Sequence, residues 1–285
     1  MKRLALALTL GIVLAPAALA SGRNISVSTD EGPVTSCDQV RVRFDHARAY
    51  RAEESLPVRG VRSLKVTAAE NGGIYVTGGS DYAVTACKAA EIESTLSDIR
   101  TSVRGNEVTA NGPDGNWVVY FIVTVPRGAT LDLDSNNGPI SLRDVSATVT
   151  ARATNGPIGV RDSSGTLNLT TENGPISLKG GSGTVKLNAS NGPISVKLDD
   201  TSWNGSLDAR TENGPLSVKM PRGFVSGVVI ESDGHGPLSC HADACRDMRR
   251  NFSDDEDQPR RIEFGSGPTV VHMSTVNGPV SIKED

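Results

Sequence analysis

The sequence predicts an all-β protein: a parallel β-solenoid with two strands per coil, an irregular N-terminal cap and one short helix. Three observations lead there. The tetrapeptide NGPI recurs at a fixed interval, the residues between its copies alternate apolar and polar, and aromatic residues make up only 4% of a chain in which 30 of 285 residues are glycine. Such a composition suits strands and turns better than packed helices. A period near 20 residues marks a structure whose repeats stack on one another.

The copies are SNNGPISL ending at Leu142, ATNGPIGV ending at Val160, TENGPISL ending at Leu178, ASNGPISV ending at Val196 and TENGPLSV ending at Val218. Two variants follow, GHGPLSC ending at Cys240 and TVNGPVSI ending at Ile282. The turn residues Asn137, Asn155, Asn173, Asn191 and Asn213 lie 18, 18, 18 and 22 residues apart, and Asn277 holds the same place in the last copy. Upstream of each turn, period-two alternation puts residues such as Val185, Leu187 and Ala189 on one face. Each repeat is therefore strand, NGP corner, strand and looser corner.

Within the corner, glycine admits backbone angles closed to other residues. Proline, with no N–H to donate, suits the first position of a strand. Continuing the upstream parity through the corner turns the asparagines inward, where stacked coils would align Asn137, Asn155, Asn173, Asn191, Asn213 and Asn277 into a bonded amide ladder. The inward aliphatics Val149, Ile158, Leu167, Ile176, Val185 and Ile194 come every nine residues, which gives two strands per coil; a hexapeptide helix would need one every six. Hairpins on Asn-Gly turns fit less well, because the proline removes a donor beside the turn.

Residues 1–20 carry Lys2 and Arg3, an apolar run and Ala18-Leu19-Ala20, the pattern of a secretory signal peptide. Residues 21–285 read as one domain, with irregular coils and a cap over 21–126 and regular coils over 127–285, interrupted by a charged loop at 247–261. The irregular part holds strand-like runs at 40–44, 64–66 and 117–125, a helix around 89–97, and degenerate turns in ENGGIYV and ANGPDG. Eight to ten coils spaced by ~4.8 Å would form a rod roughly 40 to 50 Å long. The terminal Lys283, Glu284 and Asp285 would close its far end against edge pairing.

Four cysteines, Cys37, Cys87, Cys240 and Cys245, suggest two disulfides in an exported chain. Of the three possible pairings, Cys37 with Cys87 and Cys240 with Cys245 is preferred, since each pair lies in its own irregular region. The alternative for the second pair is a zinc site from His235, Cys240, His241 and Cys245, whose spacing matches no familiar zinc pattern.

The segment YFIVTVPRGATLDLDSNNGPISL, the serial NGPI coils and the closing FGSGPTVVHMSTVNGPVSI resemble the bacterial "putative adhesin" family, a domain of unknown function designated DUF4097. The resemblance spans roughly residues 60–285. It implies an exported, β-solenoid-like protein associated with the bacterial envelope, and it supplies no catalytic residues to carry over.

Other functions find little support. Loss of Lys2 and Arg3 takes the formal charge from −4 to −6, with no basic block to attract nucleic acid. After the leader, no apolar run reaches the ~18 residues of a membrane span. Acidic pairs that could serve a polysaccharide lyase or hydrolase are Asp132 with Asp134 and Asp199 with Asp200. Asp254, Asp255, Glu256 and Asp257 could offer oxygens to calcium, without the glycine or spacing of an EF-hand. Thr148 and Thr150 give one Thr-x-Thr pair of the kind that ice-binding faces repeat. The expectation is a monomeric, non-enzymatic protein without cofactor or metal, in the periplasm or outside the cell, whose partner is an envelope polysaccharide or protein. The alternatives are a polysaccharide-active enzyme and an envelope-stress accessory protein with no stable ligand.

Overall fold

The computed structural model describes residues 25–29, 32–45, 47–233, 236–243 and 260–284. The leader, His235, Cys245, most of the charged loop and the calcium candidates Asp254 to Asp257 lie outside them. The chain folds as a β-solenoid of two facing 11-stranded sheets. Strands before each NGP corner form one sheet, here the upstream sheet: Thr130–Ser135, Ser146–Ala153, Ser164–Thr171, Gly183–Ala189 and Gly205–Thr211. Strands after it form the downstream sheet: Ile140–Arg143, Ile158–Arg161, Ile176–Lys179, Ile194–Lys197 and Leu216–Met220. Neighbouring coils pair in parallel and in register, so Val149, Leu167, Val185 and Leu207 form one row. Ile158, Ile176, Ile194 and Leu216 form another on the opposite sheet.

These rows are the core. Val149, Ile158, Leu167, Ile176, Val185 and Ile194 are all at most 1% exposed. Burying such a side chain contributes ~1.5 to 3 kcal/mol each. No coil can bury its own apolar face alone, and only stacking supplies the second wall.

The corner differs from the sequence expectation in two ways. First, Asn155, Asn173, Asn191, Asn213 and Asn277 are exposed, and Asn137 is half-buried. The inward alternation ends two residues earlier, at Ser135, Ala153, Thr171, Ala189, Thr211 and Thr275, and the chain then swings outward. Each asparagine Nδ2 still donates to the Oδ1 of its neighbour, and the ladder runs from Asn71 through Asn137, Asn155, Asn173, Asn191 and Asn213 to Asn277 at 2.9–3.3 Å. Inside the corner, Thr211 and Thr275 donate their hydroxyls to Gly192 O and Gly214 O at 2.8 and 3.0 Å, satisfying carbonyls that face the core.

Second, the corner glycines are not among the positive-φ residues. They are required by proximity: a Cβ on Gly156, Gly174, Gly192 or Gly214 would lie 2.0–2.2 Å from the carbonyl oxygen of the corner glycine one coil before. The proline that follows has no N–H to give, but its carbonyl still joins the ladder by accepting from the first strand N–H of the coil before, as in Ile158 N to Pro175 O at 2.9 Å. The looser corner does need the left-handed region: Asp144, Asp162 and Gly180 occupy it in successive coils, with φ of 54°, 50° and 64°, a conformation that aspartate tolerates better than most residues.

The order of coils departs from chain order at both ends. The last coil, Thr269–Thr275 and Val280–Glu284, lies between Gly205–Thr211 with Leu216–Met220 and Gly227–Ser232 with Leu238–Cys240. At the other end, Ser63–Thr67 with Gly73–Gly79 lies between the coil that begins at Thr130 and the coil of Glu107–Asn111 with Trp117–Pro126. The described residues form nine coils, a stack of roughly 40 Å. Lys283 and Glu284 therefore do not close the rod. Arg260–Phe264 closes the upstream sheet, running antiparallel to Gly227–Ser232 with Arg261 bonded to Glu231, and Leu238–Cys240 is the edge of the downstream sheet. The span between the last two NGP-like turns is thus partly a capping strand and not a simple insertion.

The N-terminal end is closed by antiparallel strands Arg100–Arg104, Ala83–Ala90 and Tyr50–Leu56. The helix is Glu93–Asp98, later than expected, because Ala89 and Ala90 continue a strand opposite Val118 and Trp117. At this end, Lys88 and Thr101 bond the Glu54 carboxylate and hold it below its ordinary range. A three-stranded sheet, Ile25–Thr29, Val40–Phe44 and Ala47–Arg48, covers the outer side of the downstream sheet here. It buries Val118, Tyr120 and Ile122, whereas Val119, Phe121 and Val123 face the solenoid core. Both faces of residues 118–123 are therefore covered, which explains the unbroken apolar run VVYFIV. Cys37 and Cys87 are disulfide-bonded, with Cα atoms 5.3 Å apart, and staple this layer to the sheet. Cys240 is also disulfide-bonded.

Gly174→Ala is expected to destabilise the protein by about 1–3 kcal/mol or more. Gly159→Ala, whose added Cβ meets nothing nearer than Ser177 Oγ at 3.6 Å, should stay within ~0.5 kcal/mol of wild type. Thermal and urea melts of the two variants check the contrast. The Cys37–Cys87 bridge spans 50 residues, so Cys37→Ala with Cys87→Ala should remove stabilisation of about 4 kcal/mol from the N-terminal layer. Limited proteolysis should cut that layer first and leave the coils protected.

Candidate functional site

The outer face of the upstream sheet holds the acidic pair singled out from the sequence. Strand alternation points Asp132 and Asp134 outward beside Arg152 of the next coil. Arg152 Nη1 lies 2.8 Å from Asp132 Oδ1 and 3.0 Å from Asp134 Oδ1, and the two carboxylates hold the guanidinium above its ordinary pKa. One nitrogen occupies the gap between the two acids. A glycosidase needs that gap for the sugar and water, so the triad serves as a surface ion network. The depression beside it, about 360 Å³, is shallow and lined by Thr67, Asp134, Ser135, Arg152, Thr154 and Glu172. Asp199 lies 3.4 Å from Lys197, and Asp200 is exposed in the neighbouring loop.

The threonine pair noted in the sequence belongs to a longer row: Ser63, Thr130, Thr148, Thr166, Thr184 and Ser206 are in register. The adjacent row mixes Lys65, Asp132, Thr150, Asn168, Lys186 and Asp208, so charges interrupt any threonine array. The proposed zinc set fails at Cys240, whose sulfur is in a disulfide. His241 is exposed, with Nδ1 3.2 Å from Ser239 Oγ. Among the described residues, no three His, Cys, Asp or Glu side chains could together hold a metal ion, and no helix is long and apolar enough to cross a membrane.

The downstream sheet carries a feature that the sequence reading passed over. Its outer face has two parallel columns beyond the corner prolines. One is Ser141, Gly159, Ser177, Ser195, Ser217 and Ser281, and the other is Arg143, Arg161, Lys179, Lys197, Lys219 and Lys283. Each cation follows the second inward aliphatic of its strand, in LR, VR, LK, VK, VK and IK. Motifs ended at that aliphatic stop one residue short of the column. The first five cations are half-buried and Lys283 is exposed. Like charges directly opposite on neighbouring strands are unfavourable, yet the pattern repeats across six coils.

The fold and its faces define a rigid β-solenoid with polar columns repeated coil after coil. No family model matches the chain, and no curated protein matches it. Solved structures similar to parts of it include a "putative cell adhesion protein" from Clostridium sporogenes, 10% identical at a TM-score of 0.31, covering 84% of this chain and 100% of that one. A "putative adhesin" from Bacteroides fragilis is 12% identical at 0.34, covering 83% and 97%. Another from Parabacteroides distasonis is 9% identical at 0.27, also covering 83% and 97%. At these scores the likeness establishes neither a shared function nor a family.

Proposed function

We propose that the protein is an exported, non-enzymatic β-solenoid that binds a partner at or near the bacterial envelope along its outer faces. The leader-like first 20 residues support export. The observation that carries the binding role is the in-register repetition of outer side chains, above all the serine and cationic columns that continue through six coils. Repeated identical contacts on a rigid scaffold give multivalent attachment to an extended partner without requiring a deep pocket. The partner class is an envelope polysaccharide or an envelope protein. Arg152 fills the gap between Asp132 and Asp134, and Asp199 is drawn to Lys197, which favours binding over turnover.

The purified protein should co-sediment with peptidoglycan or with one of a panel of bacterial polysaccharides, and no new reducing or unsaturated ends should appear in the same tubes. Product release that is lost on Asp132→Asn or Asp134→Asn would replace this reading with an enzyme. If no polymer binds, crosslinking in envelope extracts should recover a protein partner; recovery of none would contradict a binding role altogether.

A further inference from the structure

We infer that the cationic column of the downstream sheet is a binding track for an extended polyanionic polysaccharide, one carrying a carboxylate on successive sugars, as polyuronates do. This inference rests on the proposed binding role and gives it a site and a ligand class.

The column gains its sixth cation because the last coil is interleaved. Lys219 pairs in register with Lys283, 64 residues later in the chain, and Arg143, Arg161, Lys179, Lys197 and Lys219 follow one another without a gap. Neighbouring cations are therefore about 4.8 Å apart, and the six span roughly 24 Å. Among the described residues, Arg143, Arg161, Lys179 and Lys283 form no ion pair. Asp144, Asp162 and Asp199 flank the column at the looser corner, and Asp199 approaches Lys197 to 3.4 Å. These acids moderate the field without matching the column coil for coil, since Gly180 takes the equivalent position between Asp162 and Asp199.

The stack of like charges works against folding, and nothing in the core requires it, because every one of these side chains points away from the core. A ligand that neutralises the column turns that cost into binding free energy. Charge complementarity therefore selects an anion, and the linear arrangement selects a polymer. Geometry selects further: each strand of duplex DNA advances ~3.4 Å along the axis per phosphate while winding around it, so its phosphates neither follow a straight column nor keep step with strands ~4.8 Å apart. A chain with one carboxylate per sugar can keep pace with the coils or meet every second one.

The neighbouring column identifies what lies beside the charge. Ser177 and Ser195 are exposed, and Ser141, Ser217 and Ser281 are half-buried, so hydroxyl donors and acceptors run parallel to the cations at the distance of one alternate strand residue. Sugar hydroxyls can both donate to and accept from them, whereas a polyphosphate can only accept. The exposed prolines Pro157, Pro175, Pro193 and Pro215 form a rigid margin on the corner side. The N-terminal sheet covers the same face further along, so it borders the track at one end.

The test uses polygalacturonate as the probe, with its fully methyl-esterified form as the neutral control and duplex DNA as a polyanion of different geometry. Binding is measured by calorimetry at about 50 and 200 mM salt, a range over which charge-driven affinity falls steeply. Polygalacturonate should bind, the ester should not, and DNA should bind more weakly. Lys179→Gln with Lys197→Gln and Lys219→Gln should weaken binding by roughly tenfold or more, whereas Lys65→Gln with Lys186→Gln on the other sheet should leave it unchanged. In case the triple variant does not fold, acetylation footprinting of the wild-type protein gives the same information: the polymer should protect Lys179, Lys197 and Lys219 but not Lys65 and Lys186.

Equal binding of the ester, or binding that survives loss of the column, would overturn the cationic track while leaving the broader binding role standing. Equal or tighter binding of DNA would show an unselective basic stripe and overturn the polysaccharide assignment. Failure of polygalacturonate to bind, with peptidoglycan or a neutral glycan binding instead, would overturn the ligand class alone. Failure of every polymer would count against the polysaccharide form of the proposed function as well.

Discussion

At the corners of Gly138, Gly156, Gly174, Gly192, Gly214 and Gly278, the carbonyl oxygen of the neighbouring coil's corner glycine occupies the space where a Cβ would lie. This close contact allows only glycine at that position and fixes the vertical spacing at the corner. With the corners locked, the strands on either side have no freedom to slip, and the two sheets take a common register. The asparagine ladder outside and the hydroxyls of Thr211 and Thr275 inside satisfy polar groups on both sides of the contact.

A fixed register converts sequence positions into columns. Inside, the row Leu133, Ala151, Leu169, Leu187, Ala209 and Met273 mixes large and small side chains at buried positions, filling the space between the sheets. Outside, any residue type placed once per repeat becomes a line. A single lysine on a surface is unremarkable, but one at the same place in every coil creates a linear field that a polymer can follow. This is how a chain with formal net charge −4 can still present a continuous basic track.

Much of this was legible in the sequence, because the corner and the strands are local. The spacing of NGPI gave the coil, the nine-residue spacing of inward aliphatics gave two sheets, and ENGGIYV marked Asn71 as a further corner. The direction of the asparagines was not legible: strand parity does not extend through a turn, and Thr171 and Thr211 already fill the inward place. Nor was coil order at the ends, since periodicity says that coils stack but not which neighbour each one meets. Asn277 bonds Asn213 across 64 residues, and no local pattern announces that pairing. The cationic column lay in plain view at Arg143, Arg161 and Lys179, yet its continuity to Lys283 depends on the same long-range stacking.

Interleaving of the last coil is thus the point on which register, end closure and the basic column all converge, and paired cysteines can test it directly. Ser217 and Ser281 are register partners, as are Ser281 and Ser239, which leaves Ser217 and Ser239 separated by a whole strand. Ser217→Cys with Ser281→Cys should form a disulfide on mild oxidation, because adjacent strands bring Cα atoms to about 4.8 Å. Ser217→Cys with Ser239→Cys should remain reduced, at roughly twice that distance. Crosslinking of the second pair in place of the first would mean that the coils stack in chain order and that the column ends at Lys219.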